Sequence, residues 1–208
     1  MYELAFFGYE FLTEFVPFLL VLLLMRRKWG RFSPAPGKAR FVIPLLFGLY
    51  VVCVFNVTDA GTLYDALTYK LAYLDGRVNL IPFSRDINPV GYALNVVMFL
   101  PFGFLVPLAW KEMNGLFRVS AAGLSFSLLI ELSQIFSMRG SDVDDLIMNT
   151  LGAFCGFLLF KIWDKVTRSR FQARGIHRAE LPLLIGVMFL GRFLLFNRFG
   201  LIGLLFNK

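Results

Sequence analysis

Glu131 to Gly156 reads ELSQIFSMRGSDVDDLIMNTLGAFCG, a polar cluster set between two apolar runs. Glu131, Gln134, Arg139, Asp142, Asp144, Asp145 and Asn149 all fall within it. The flanking runs, Phe117–Phe136 and Leu146–Trp163, are the length of membrane spans. About 20 helical residues at about 1.5 Å each cross ~30 Å of hydrocarbon. Ionisable groups at that depth cost roughly +2.5 to +3.5 kcal/mol each at a helix centre. A chain that keeps them there holds either a polar site or a packing lock.

Working outward, the same pattern recurs. The chain has 208 residues, 58% hydrophobic and 17% aromatic, with a mean hydropathy of +0.68. A soluble domain is usually about 45–50% apolar. The excess lies in runs: Leu4–Met25, Phe41–Val57, Val90–Trp110, the two already given, and Leu181–Phe206. The expected fold is all-α, a polytopic helical membrane protein of five to six transmembrane helices. The loops are too short for a separate soluble unit, so residues 1–208 read as a single membrane domain. Within the polar stretch Thr58–Pro89, Ala60–Leu74 has helical spacing and reads as a short interfacial helix. The first apolar run lacks a basic leader and carries Glu10 and Glu14, which argues against a cleaved signal peptide.

The net charge of +7 is concentrated in two loops, Arg26–Arg40 and Lys161–Arg178. Such charge sets topology, and no nucleic-acid partner is expected. Both loops should be cytoplasmic, and four spans separate them, an even number that agrees with one side. Thr58–Pro89 and Met138–Asp145 then face outward. Leu181–Phe206 is taken to span, placing both termini outside. Cys53 and Cys155 lie in apolar runs without metal-ligand company, and His177 is the only histidine. That set excludes His-based zinc sites and Ser-His or Cys-His catalysis. No cofactor or resident metal is expected.

Helical spacing organises the cluster. Ser120, Gly123, Ser127, Glu131 and Gln134 share one face of the fourth span, and Asp142, Asp145, Asn149, Gly152 and Gly156 share one face of the fifth. An antiparallel hairpin would pack small residues together deep in the membrane. It would stack Glu131 and Gln134 beside Asp145 and Asn149, with Arg139 in the turn as their partner. Asn88 and Asn95 lie on one face of the third span, which Pro101 and Pro107 should kink. Asn79-Leu80-Ile81-Pro82-Phe83 reads as a rigid, amphipathic lip. Glu14 is expected to pair with Arg192, and Glu10 with Arg198. The cluster reads either as a hairpin lock or as an outward-opening polar pocket, and its mixture of acid, amide and guanidinium favours the pocket.

NLIPF (Asn79–Phe83), NVVMFLPFGFLVP (Asn95–Pro107), E-x-x-Q (Glu131, Gln134) and R-G-x-D-x-D-D-L-I-x-N-x-x-G (Arg139–Gly152) together resemble the VanZ-like family of membrane proteins. The resemblance covers a core of about 79–160. It implies a multi-pass protein of the bacterial cytoplasmic membrane, linked through the family's named member to teicoplanin-type glycopeptide resistance.

Two functions fit. In the favoured one the protein is not an enzyme. Asn79, Asn95, Glu131, Gln134, Arg139, Asp142, Asp145 and Asn149 form an outward pocket for a lipid-linked cell-wall precursor or a lipoglycopeptide. Arg139 would take a phosphate or carboxylate through its planar fork. In the alternative, Glu131, Asp142, Asp144 and Asp145 hold a hard cation for metal-assisted chemistry on a lipid-linked phosphate at the outer leaflet. No nucleophile-plus-base pair supports catalysis.

Overall fold

A computed structural model describes residues 2–29, 39–69, 78–84, 88–137, 139–168 and 177–206. Its helices are α1 (Tyr2–Trp29), α2 (Ala39–Thr58), α3 (Leu63–Tyr69), α4 (Pro89–Ala109), α5 (Leu116–Gln134), α6 (Val143–Thr167), α7 (Glu180–Leu195) and α8 (Arg198–Phe206). Five stretches, carried by α1, α2, α4, α5 and α6, are long and apolar enough to cross a membrane. Leucines such as Leu4, Leu24, Leu94 and Leu128 are exposed, while Glu14, Asn149 and Arg192 are buried. Apolar outside and polar inside is the pattern expected of a bundle solvated by lipid.

Local chemistry sets the helix starts. Asn88 caps α4, its side chain accepting from the Gly91 amide at 3.0 Å, with Pro89 at the first helical position. Asp142 caps α6 by accepting from the Asp144 amide at 3.0 Å. Thr62 and Asp65 bond reciprocally and open α3, which occupies part of the expected interfacial helix. Residues 70–77, which include Asp75 and Arg77, and residues 85–87, with Arg85 and Asp86, lie outside the described residues. α4 continues through both Pro101 and Pro107.

α4 packs on α6 more extensively than any other helix pair; α5 joins α6, α1 pairs with α7, and α2 bridges the two groups. The expected small-against-small α5–α6 seam is only partly present. Gly123 faces Ala153 across that seam. Gly152 and Gly156 face the Val96 and Leu100 carbonyls of α4 instead, and Gly103 of α4 faces the Ala153 carbonyl. A methyl group at any of these three glycines would overlap backbone, so their lack of a side chain sets the α4–α6 distance. Aromatic rings fill the space beside it, with Phe102 stacked on Phe126 at 5.5 Å and Phe47 edge-on to Trp110 at 5.1 Å.

The last apolar run is not one helix. α7 ends at Leu195, with Phe196 as its C-cap, and Asn197 starts α8, its side chain accepting from the Gly200 amide at 2.8 Å. α7 has 16 residues, about 24 Å at 1.5 Å each, short of a ~30 Å hydrocarbon core. It lies along α1, with Gly191 against the Thr13 carbonyl and Pro17.

The charge pairing matches the expected one at Glu14 and differs from it at Glu10. Arg192 alone serves both acids: its Nη1 bonds Glu10, and also Glu14 at 2.8 Å. Its Nε donates to the Ala60 carbonyl at 2.6 Å. Glu10 takes Asn56 as its second partner rather than Arg198.

Candidate functional site

The polar residues gather at one end of the bundle, where α2, α5 and α7 end and α4 and α6 begin. The first turn of α6 carries Asp142, Asp144 and Asp145; Asp142 reaches the Val78–Asn79 strand, Asp144 the lip and α4, and Asp145 α4. Helix N-termini favour such charges, because unpaired amides and the macrodipole point at them.

Asp142 anchors the lip. Val78–Asn79 and Ser141–Asp142 form a short parallel pairing, with Asn79 opposite Asp142. Asn79 Nδ2 donates to Asp142 Oδ1 at 3.1 Å. Asn79 Oδ1 accepts from the Ile81 amide at 3.1 Å and the Ser84 hydroxyl at 2.9 Å, closing the turn. Phe83 adopts a left-handed backbone, φ 56°, and its amide donates to Asp144 Oδ1 at 2.8 Å. The other Asp144 oxygen accepts from the Tyr92 hydroxyl at 2.6 Å. Leu80, Ile81 and Phe83 remain exposed.

Asp145 accepts from Asn95 of α4. Glu131, near the end of α5, accepts from the Asp142 amide at 2.9 Å. One layer deeper, Asn149 donates to Ser127 at 2.9 Å, and its Oδ1 is buried without a partner.

Asn79, Asp142 and Glu131 are therefore linked by hydrogen bonds, the Asn95–Asp145 pair lies beside them, and Asn149 lies beneath. Two expected members are elsewhere. Gln134 faces α2 and donates to the Thr58 carbonyl at 2.6 Å. Arg139 is exposed and donates to the Val57 carbonyl at 2.7 Å. Neither stacks on the acids, and Arg139 forms no salt bridge with Glu131, Asp144 or Asp145 among the described residues. The Glu131, Asp144 and Asp145 carboxylates accept from amides and a phenol. They also diverge: among the described residues, no group of three or more His, Cys, Asp or Glu side chains could hold a metal ion.

Sequence reasoning left Tyr92 and Ser127 out of the site and gave Asp144 no contact of its own. Tyr92 could have been found, since it lies three residues before Asn95 and so shares its face of α4. A cavity of about 360 Å³ at the same end of the bundle has a different lining, which includes Glu10, Asn56, Asp59, Arg192 and Arg198.

Fold and site together define a multi-pass helical membrane protein with a carboxylate-rich, amide-bonded network at one end of its bundle. The chain belongs to the VanZ/LLP1 family, whose model matches residues 41–164. It is 31% identical over 141 residues to Protein VanZ of Enterococcus faecium, an alignment that covers 67% of this chain and 86% of that protein. No solved structure matches the chain.

Proposed function

We propose that this protein binds an amphipathic cell-envelope ligand at the outer face of a bacterial cytoplasmic membrane. The ligand is a lipid-linked cell-wall precursor or a lipoglycopeptide of the teicoplanin type. One observation carries this reading. Asp144 bonds both the Phe83 amide and the Tyr92 hydroxyl, so the acidic network and the exposed apolar lip Leu80-Ile81-Pro82-Phe83 form a single unit. A polar cluster joined to an apolar rim suits a ligand with a saccharide or peptide head and a lipid chain.

The network is rich in acceptors. Glu131, Asp144 and Asp145 are carboxylates, and Asn149 Oδ1 is a buried acceptor with no partner. Hydroxyl and amide donors on a sugar or peptide complement them, because an unmatched buried acceptor costs about 1–3 kcal/mol. Arg139, exposed beside the turn, suits a phosphate or carboxylate at the rim. Gln134 contributes by holding α5 to the end of α2.

The test is teicoplanin susceptibility of a sensitive host, read beside the amount of protein in its membrane. Arg139→Lys keeps the charge and loses the planar fork. It should abolish the phenotype at normal abundance, as should Asp145→Asn. The double change Leu80→Ser, Ile81→Ser should do the same by removing the rim. Full activity of all three variants, or loss of abundance in step with phenotype, overturns the reading.

A further inference from the structure

α5 and α7 approach at the polar end of the bundle, where the Phe136 and Phe193 rings are 6.3 Å apart. Toward the opposite end they part, leaving a groove of about 700 Å³. Phe117, Ala121, Leu129, Leu181 and Ile185 supply apolar wall. Gly186 opens onto it, and a Cβ there would meet no atom within 4 Å. No neighbour requires glycine at that position; its effect is to leave the groove wide.

The mouth is basic. Arg118, at the start of α5, and Arg178, just before α7, line it, and both are exposed. Arg118 spends Nη1 on the Glu112 carbonyl at 2.7 Å, leaving its other guanidinium donors. The Glu112 carboxylate accepts the Arg178 backbone amide at 3.2 Å. Lys111 precedes Glu112 in the chain and Glu180 opens α7, so three bases and two acids leave this end of the two helices net positive.

Depth agrees with this arrangement. From Arg118 to Leu129 the groove runs eleven residues along α5, roughly 16 Å. That is about half of a ~30 Å hydrocarbon core, the reach of one leaflet's acyl chain.

We propose that this groove holds an anionic glycerophospholipid of the leaflet at the basic end of the bundle. One acyl chain lies between α5 and α7, and the phosphate sits between Arg118 and Arg178. Apolar walls do not hold water, and an empty groove would forfeit contacts along its whole lining. Guanidinium groups at headgroup level match a phosphate in bidentate geometry, and basic pockets between spans recognise anionic headgroups. The site lies at the opposite end from the acidic network and does not rest on the function proposed above.

Native mass spectrometry of the full chain in detergent tests this. The probes are dioleoyl phosphatidylglycerol and dioleoyl phosphatidylcholine at equal concentration. The wild type should retain phosphatidylglycerol at least tenfold better. Arg118→Gln with Arg178→Gln, both at exposed positions, should erase that preference. Gly186→Leu should weaken both lipids, since it fills the groove without striking a neighbour. Lys161→Gln should leave the preference intact, because Lys161 is an exposed base on α6, away from the groove. Equal retention of both lipids by the wild type overturns the proposal. So does a preference that survives the double arginine change, or that falls equally in Lys161→Gln. Displacement by millimolar inorganic phosphate would make it a phosphate site. A dimer that Gly186→Leu dissociates would make the occupant a second copy; either result overturns the lipid assignment.

Discussion

Asp144 and Tyr92 show what a single contact does in this molecule. Asp144 is 2% exposed, and its charge is matched by a phenol and a backbone amide. A hydrogen bond to a charged group contributes about 1.5–3 kcal/mol. Tyr92→Phe should therefore lower the melting temperature of the purified protein while largely keeping the edge-on contact of this ring with Phe83, centroids 6.1 Å apart. Unchanged melting would mean that the phenol is dispensable to the network. The acids Glu131, Asp142 and Asp145 and the amide Asn149 were legible, because they fall on helical stripes that point them inward. Their partners were not. Asp144 meets Tyr92 across 52 residues and Phe83 across 61, and spacing along one helix carries no record of which other helix lies opposite. Arg139 also has a partner that its position in the chain did not signal. Its place in the turn suggested a partnership with the neighbouring acids, and its guanidinium also donates to the Val57 carbonyl, 82 residues away.

Among elements, α6 makes the corresponding point about packing. Gly152 and Gly156 announced a close helix contact, and one exists, but the face belongs to α4 rather than α5. A small-residue stripe specifies distance and leaves the neighbour open. Gly103→Ala, Gly152→Ala and Gly156→Ala should each force α4 and α6 apart, at about 1–3 kcal/mol for overpacking. Gly186→Ala, whose methyl would enter open space, should be neutral or stabilising. Thermal melting of the four purified variants checks the contrast, and equal losses would mean that the α4–α6 seam is not the tight one. The α1–α7 pair depends on charge instead. Arg192 is 1% exposed and serves two buried carboxylates. Arg192→Gln strands both and should cost about 3–5 kcal/mol. Glu14→Gln leaves the Arg192–Glu10 pair intact and should cost less. Membrane abundance and melting should rank the two variants in that order. The reverse order would mean that Glu14, not Arg192, holds the pair together. The pairing of α1 with the last apolar run was legible from depth; the break at Asn197 was signalled only by one helix-capping residue inside that run.

At the scale of the whole molecule, the acidic network lies at one end of the bundle, and Arg118, Arg178, Lys161 and Lys165 lie toward the other. Membrane location follows from five long apolar helices and an exposed apolar belt. Direction rests on a separate physical effect, the retention of Lys- and Arg-rich loops on the cytoplasmic side. Ser33 and Arg170, which stand for those loops, lie outside the described residues, but the helix ends nearest them are described. Ile81 sits exposed on the lip at the polar end, and Lys165 sits exposed near the end of α6 at the basic end. With Cys53 and Cys155 replaced, Ile81→Cys and Lys165→Cys become single reporters at the two ends. In intact cells an impermeant maleimide should label position 81 and spare position 165, and permeabilising the cells should expose position 165. Labelling of position 165 alone would turn the acidic network toward the cytoplasm. An envelope ligand arriving from outside could not then reach Asp145 or Arg139, and the function proposed for that network would fall with the orientation. The lipid groove would keep its chemistry and move to the outer leaflet.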